Sequence, residues 1–287
     1  MKVGLIGFGN TGKSVASVLL KSPDARLEWV LRESTELEHR RAGDFLGISN
    51  DEPGRIYSTQ NISITALLEE APVDVIVDFS HAGAIQDYGE EASKRGITII
   101  SAISRYPLDI LNYIGELALR TRIIHSPNIS IGVNFLMIAA KILKTIVPHT
   151  DVAVIEQHFV NKKEISGTAK VLAESLGVNE RDVKSLRVGG IVDVHEVLFG
   201  SPQQTIHLKH ETVSRDAFGN GILFALKNLP QRAAGLFTME DILLPYFHQQ
   251  TRSGKQERLV RSSQVVPWQD GHKDLLSFPH QRHLSDL

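Results

Sequence analysis

Apolar residues in the first half of the chain come in short runs, separated by segments of helical period. Residues 2–7 (K-V-G-L-I-G) read as a buried strand flanked by glycine. Val15, Val18, Leu19 and Leu20 recur at helical spacing within Lys13–Leu20, and Leu27–Leu31 forms a second strand after a Ser-Pro-Asp turn. Residues 33–59 are charged and punctuated by Gly43, Gly47, Pro53 and Gly54, which predicts a long loop holding at most a short helix. Strands at 73–79, 97–100 and 122–125 then alternate with helices over 84–95 and 107–121. Such alternation predicts right-handed crossovers and a parallel sheet.

After Asn128 the pattern changes. Residues 131–147 predict a long apolar helix, 152–159 a strand, and 167–176 a helix stopped by Gly177. Residues 185–214 alternate like strands, and a helix over 220–229 and a short one near Met239 close the compact part. The expected fold class is α/β: a Rossmann-like parallel-sheet domain plus a C-terminal α+β domain with an open mixed sheet. The domains are expected at 1–128, with helices returning from about 219–244, and at 129–218. The remainder, 245–287, is rich in Gln, Ser and His without apolar periodicity, so a disordered tail is expected.

Composition narrows the function classes. The 287 residues carry 31 Lys plus Arg against 33 Asp plus Glu, a formal charge of -2 that argues against a nucleic-acid partner. With no cysteine, there is neither a thiolate nucleophile nor a Cys-based metal site. No apolar run approaches the roughly 20 residues that span a bilayer, so no membrane partner is expected. The Met-Lys start runs straight into a strand rather than a secretory signal, and the expected location is cytoplasmic.

Gly7-Phe8-Gly9-Asn10-Thr11-Gly12 follows a strand and opens a helix, the context in which a glycine turn cradles a pyrophosphate. At the end of the second strand Arg32 stands where a dinucleotide's adenosine ribose is read. Arginine there favours the extra phosphate of NADPH, while the adjacent Glu33 keeps NADH possible. Further on, His158 ends a strand and is followed by a basic loop and a helix with Ser166 as its N-cap. A histidine can exchange a proton near neutral pH, and lysine with free helix N–H groups suits an anion. His195 and Glu196 read as sheet packing, Arg215 as a surface ion pair, and Trp29 as packing beneath the glycine turn. His207 and His210 face opposite sides of a strand, and no metal site is assigned.

These motifs, with Val-Asp-Phe-Ser at 77–80, Ser-Pro-Asn-Ile-Ser-Ile-Gly-Val-Asn at 126–134, Arg187-Val188-Gly189-Gly190 and Gly219-Asn220-Gly221, make residues 1–244 resemble the dihydrodipicolinate reductase family. The resemblance implies NAD(P)H-dependent reduction of a cyclic unsaturated dicarboxylate in lysine biosynthesis, by a homotetramer whose second domain binds substrate and oligomerises. It makes His158 the catalytic acid–base residue and Lys162 the substrate-binding lysine, with Lys163 competing because the loop is one residue shorter. It makes Ser166, Gly167 and Thr168 substrate-binding. Phe79, Ser80, Ser101, Ala102, Ser126, Pro127, Asn128 and Ile129 become cofactor contacts beside the glycine turn. The chain also departs from the family. Phe159 replaces a second histidine, Glu164-Ile165 replaces Asp-Ala-Pro, and Ser101-Ala102-Ile103-Ser104 replaces a Gly-Thr-Thr-Gly turn. The departures leave two alternatives open: a divergent NAD(P)-dependent amino- or imino-acid oxidoreductase, and a non-catalytic NAD(P)-binding regulator.

Overall fold

The computed structural model describes residues 1–49, 51 and 53–247, so the expectation of a disordered tail lies almost wholly outside the described residues. In chain order the elements are β1 (Lys2–Ile6), α1 (Asn10–Leu20), β2 (Arg26–Arg32), α2 (Ala42–Leu46), β3 (Arg55–Ser58), α3 (Ile64–Glu70), β4 (Val75–Asp78), α4 (Ile85–Lys94) and β5 (Thr98–Ser101). They continue with α5 (Leu108–Ala118), β6 (Arg122–His125), α6 (Ile131–Ile146), β7 (Asp151–His158), α7 (Gly167–Leu176), β8 (Lys184–Arg187), β9 (Asp193–Ser201), β10 (Gln204–Thr212), α8 (Asp216–Lys227) and β11 (Gly235–Phe237).

Two sheets result. The first has seven strands in the order β11-β6-β5-β4-β1-β2-β3, every pair parallel, with β1 central to the crossovers. Its inner strands are apolar on both faces, as a parallel sheet covered by helices requires. One face packs Val3, Leu5, Leu19 and Ile222; the other packs Ile6, Trp29, Ile85 and Ile114. The second sheet, β10-β9-β7-β8, is mixed: β7 runs parallel to β8 and antiparallel to β9. Here α7 and α6 bring Leu172, Leu176 and Leu136 against Val154, Val197 and Phe199. The expected Rossmann-like sheet and open mixed sheet are both present.

Three local expectations change. The charged stretch after Glu33 contains not only the short helix α2 but also the edge strand β3, and α3 follows it. Trp29 does not lie beneath the glycine turn: its ring rests against Gly4 on the opposite face, and Nε1 donates to the Ala71 carbonyl at 3.0 Å. The returning chain adds a strand as well as helices, because β11 pairs in parallel with β6.

α8 reaches the first sheet by packing on α1, and an idealised Cβ on Gly221 would sit 2.0 Å from the Ile129 carbonyl oxygen. Neither backbone can yield cheaply. Gly221→Ala should therefore lower the urea midpoint by an amount equivalent to roughly 1–3 kcal/mol. An unchanged midpoint would mean that α8 is not seated this closely.

Candidate active site

Two cavities open at the C-terminal ends of the parallel strands, where open α/β sheets bind ligands. The larger, about 1370 Å³, is lined by Gly7, Phe8, Gly9, Arg32, Glu33 and Thr59 among others. The smaller, about 570 Å³, lies between the sheets and is lined by Thr11, Asn128, His158, Lys162, Gly167 and His195 among others. They share Phe79, Ser80 and His81, which follow β4. Asp78 fixes that junction: its carboxylate accepts from Ser80 N–H at 2.8 Å, Ser80 Oγ at 2.5 Å and Tyr88 Oη at 2.8 Å. Burial pushes the Asp78 carboxyl upward, and these donors oppose the shift.

The glycine turn has the form a dinucleotide needs. Gly7 adopts φ +94, and a Cβ on Gly12 would lie 2.1 Å from the Gly7 carbonyl, so the glycine lets α1 close onto the turn. Gly9 caps α1 with no side-chain bond, and a Cβ there would meet nothing within 4 Å. Open space thus faces first-turn N–H groups without intrahelical acceptors, which fits a pyrophosphate. Arg32 lies beside this cavity with Nη1 donating to the Glu36 carbonyl at 3.0 Å.

In the smaller cavity the chemistry gathers around a buried carboxylate. Glu156 and His158 lie two apart on β7 and therefore share a face. Glu156 Oε1 accepts from Arg187 Nη2 at 2.7 Å and Ser185 Oγ at 2.8 Å, while Oε2 accepts the Ser166 N–H at 3.0 Å. Burial alone would raise its pKa. The His158, Ser166 and Arg187 groups around it outweigh burial and hold it well below the usual carboxylate range. His158 Nδ1 faces the Val192 carbonyl at 3.0 Å; Nε2 lies 3.3 Å from Glu156 Oε2, an ion-pair contact without hydrogen-bond alignment.

Arg187 also holds the basic loop. Its Nε donates to the Lys162 carbonyl at 2.8 Å and its Nη2 to the Glu164 carbonyl at 2.9 Å. The loop opens into α7, where Ser166 Oγ accepts the Ala169 N–H at 3.1 Å as the expected N-cap. That leaves Gly167 and Thr168, the first helical residues, with N–H groups at the cavity that have no intrahelical acceptor. Ser166 Oγ also pairs with His195 Nε2 at 2.9 Å, and His195 Nδ1 with Asp193 Oδ1 at 3.2 Å. Asn128 Nδ2 donates to Asp193 Oδ2 at 3.1 Å.

The glycine-free turn after β5 closes by other means. Ser101 Oγ takes the Ile103 N–H at 3.4 Å and pairs with the buried Tyr106 hydroxyl at 2.6 Å; the Ile103 carbonyl meets His125 Nε2 at 3.1 Å. None of residues 101–104 has a positive φ, so glycine is not required there.

Of the expected site residues, Gly7, Phe8, Gly9 and Arg32 line the larger cavity, while Phe79 and Ser80 line both. Thr11, Ala102, Pro127, Asn128, Ile129, His158, Lys162, Ser166, Gly167 and Thr168 line the smaller one. Asn10, Gly12, Ser101 and Ser126 are not among the lining residues; Gly12, Ser101 and Ser126 are buried behind them. Lys162 reaches the cavity, whereas Lys163 is exposed away from it. His195 is a site residue rather than mere sheet packing, and Arg215 lines the cavity without an ion pair among the described residues. His81, Asp193 and Arg105 were missed; each sits on a loop or strand end that no motif marks.

Comparison with known proteins agrees with this architecture. Residues 1–129 match the model of the dihydrodipicolinate reductase N-terminus, and 132–243 that of its C-terminus. A 4-hydroxy-tetrahydrodipicolinate reductase of Caldanaerobacter subterraneus subsp. tengcongensis is 32% identical over 197 residues, 61% of this chain and 78% of that protein. One from Myxococcus xanthus is 29% identical over 259 residues, 82% of this chain and 94% of the relative. A dipicolinate-bound dihydrodipicolinate reductase from Paenisporosarcina sp. TG-14 shares the fold at TM-score 0.69 and 18% identity, covering 85% of this chain and 99% of its own.

The depressed Glu156 carboxyl makes stability depend on pH. Its contribution is complete above the ordinary glutamate value of 4.5 and is lost as pH falls towards the lowered folded value. Glu156→Gln, which leaves Arg187 uncompensated, should cost roughly 3–5 kcal/mol at neutral pH. It should also flatten the acid limb of a urea-midpoint profile. Parallel acid limbs for the two proteins would contradict the assignment.

Proposed function

The chain belongs to the dihydrodipicolinate reductase family, and from that premise we propose that it reduces 4-hydroxy-tetrahydrodipicolinate with NAD(P)H in lysine biosynthesis. The observation that carries this reading is the meeting of a dinucleotide-type cavity with a cationic, histidine-bearing one at the end of β4. Bound NAD(P)H supplies the hydride, held by Gly7–Gly12, Arg32 and the residues after β4, β5 and β6. His158, whose Nδ1 is committed to Val192, delivers the proton from Nε2 to the reduced substrate. Lys162 and the Gly167 and Thr168 N–H groups hold a substrate carboxylate. Lys162, Arg105 and Arg215 line the smaller cavity without ion pairs among the described residues, and Asp193 is its acidic lining residue. A dicarboxylate offsets that excess of positive charge. In keeping with the family resemblance, the protein works as a cytoplasmic homotetramer and prefers NADPH.

The divergent-dehydrogenase and regulator alternatives rested on Phe159 and the glycine-free turn. The turn closes without glycine, and the curated relatives described above carry the reductase name. Phe159 remains, half exposed at the cavity, as the residue that separates this chain from the family pattern.

The test is NAD(P)H oxidation with freshly prepared substrate. His158→Gln should keep cofactor affinity and lose about 10²-fold or more in kcat. Lys162→Ala should raise KM as well as lower kcat, a loss in kcat/KM worth roughly 1.5–3 kcal/mol, with Lys163→Ala doing far less. Wild type without dicarboxylate reduction would remove the reading. For the cofactor, titration calorimetry should show tighter NADPH than NADH binding, and Arg32→Asp should abolish the difference. Equal affinities in wild type would exclude the role given to Arg32.

A further inference from the structure

We propose that Glu156, His158 and His195 form a binding site for a Zn²⁺-class divalent cation, separate from the nucleotide and carboxylate contacts. All three side chains are buried, and β7 and β9 bring them together: His195 is the antiparallel register partner of Glu156. One ligand atom from each lies within 4.8 Å of the others. Glu156 Oε2 and His158 Nε2 are 3.3 Å apart, close to the edge of a tetrahedron around an ion about 2.0–2.1 Å from each ligand. His158 Nε2 is buried and has no hydrogen-bond partner, so a ligand atom is available without breaking a bond.

The surrounding shell is the stronger argument. A metal-binding histidine donates its other ring N–H to a carbonyl or carboxylate, which fixes the tautomer that leaves Nε2 free. His158 Nδ1 faces the Val192 carbonyl at 3.0 Å, and His195 Nδ1 faces the Asp193 carboxylate at 3.2 Å. The third ligand is supported too, since Glu156 Oε1 accepts from Arg187 and Ser185, while Oε2 accepts the Ser166 N–H and keeps a further lone pair on the side of His158. The Ser166 Oγ contact to His195 Nε2 must be exchanged and the ion must come between Glu156 Oε2 and His158 Nε2, while Ser166 keeps its cap on α7 and its N–H bond to Oε2. Two imidazoles and one carboxylate suit zinc or cobalt, not calcium or magnesium. Both histidines line the smaller cavity, so a fourth position is open to water or an anion. The cation occupies Nε2 in place of its proton. If His158 is the acid proposed above, occupancy blocks turnover; the site itself does not depend on that reading.

The experiment uses the full chain and metal alone. Co²⁺ should produce the visible absorption bands of a four-coordinate ion, and Zn²⁺ should displace it and bleach those bands. His158→Gln, His195→Gln and Glu156→Gln should each weaken Zn²⁺ binding at least tenfold by calorimetry. Histidines 248, 272, 280 and 283 provide the competing explanation. Binding and bands unchanged in His158→Gln and His195→Gln would put the ion there and overturn the proposal, as would no binding in wild type. Should a variant fail to fold, long-range ¹⁵N spectra of wild-type histidines decide: Zn²⁺ must shift the Nε2 signals of both His158 and His195. The reductase assay is a separate measurement, so metal binding without turnover removes only the functional reading, and turnover without metal binding only the metal site.

Discussion

Glu156 carries its charge with none of its side chain exposed, and three separate segments are held in place by the donors that compensate it. Desolvating a carboxylate costs several kcal/mol, so the charge persists only because β8 supplies Arg187 and Ser185 and the start of α7 supplies the Ser166 N–H. Arg187 also donates to the carbonyls of Lys162 and Glu164 in the loop, and to that of its neighbour Leu186. The position of the lysine loop, the first turn of α7 and the ring of His158 are therefore not independent. A loop one residue shorter than the family pattern is tolerated because its backbone is clamped from the side by a guanidinium, not spanned by its own sequence.

The same dependence explains what the sequence could reveal. Elements whose signal is local were legible: the glycine turn between β1 and α1, the Ser166 cap and Gly177 stop of α7, and the apolar run of β4. β3 and β11 were not, because each offers only two large apolar residues at an edge of the sheet, within stretches rich in charge, glycine and proline. Within the site, His158 and Lys162 could be singled out because strand, loop and helix follow one another. His195 could not. Its chemistry exists only because β9 pairs with β7 in a register that puts it opposite Glu156, and a strand histidine otherwise resembles packing. Arg215 and Arg105 were obscure for a related reason: each reaches the cavity from a separate connection, and only the fold shows them without acidic partners among the described residues.

The turn after β5 is fixed by side chains where the family pattern has glycines. Two glycines permit close backbone approach by lacking side chains. Here the backbone is pinned instead: Ser101 is tied to Tyr106, and Ile103 to His125, whose ring packs on Tyr106 at 5.0 Å between centroids. The Ser104 carbonyl then lies 3.1 Å from where a Cβ on Gly167 would stand. The turn and the first residue of α7 therefore approach each other closely across the cavity, with little room for a side chain at Gly167.

That close approach also bears on what the cavity can hold. The Ser104 carbonyl is an acceptor facing a helix N-terminus, so part of the positive field of α7 is already answered on that side. The uncompensated charge lies instead on Lys162, Arg105 and Arg215, which come from three different connections around the opening. A monoanion could pair with only one edge of such an arrangement. A rigid ligand with two carboxylates spaced across a ring can meet the helix and lysine with one and an arginine with the other. Phe159, in place of a second histidine, lines that cavity with an apolar ring rather than a further proton donor, and the charges around the opening are those of the lysine and the two arginines.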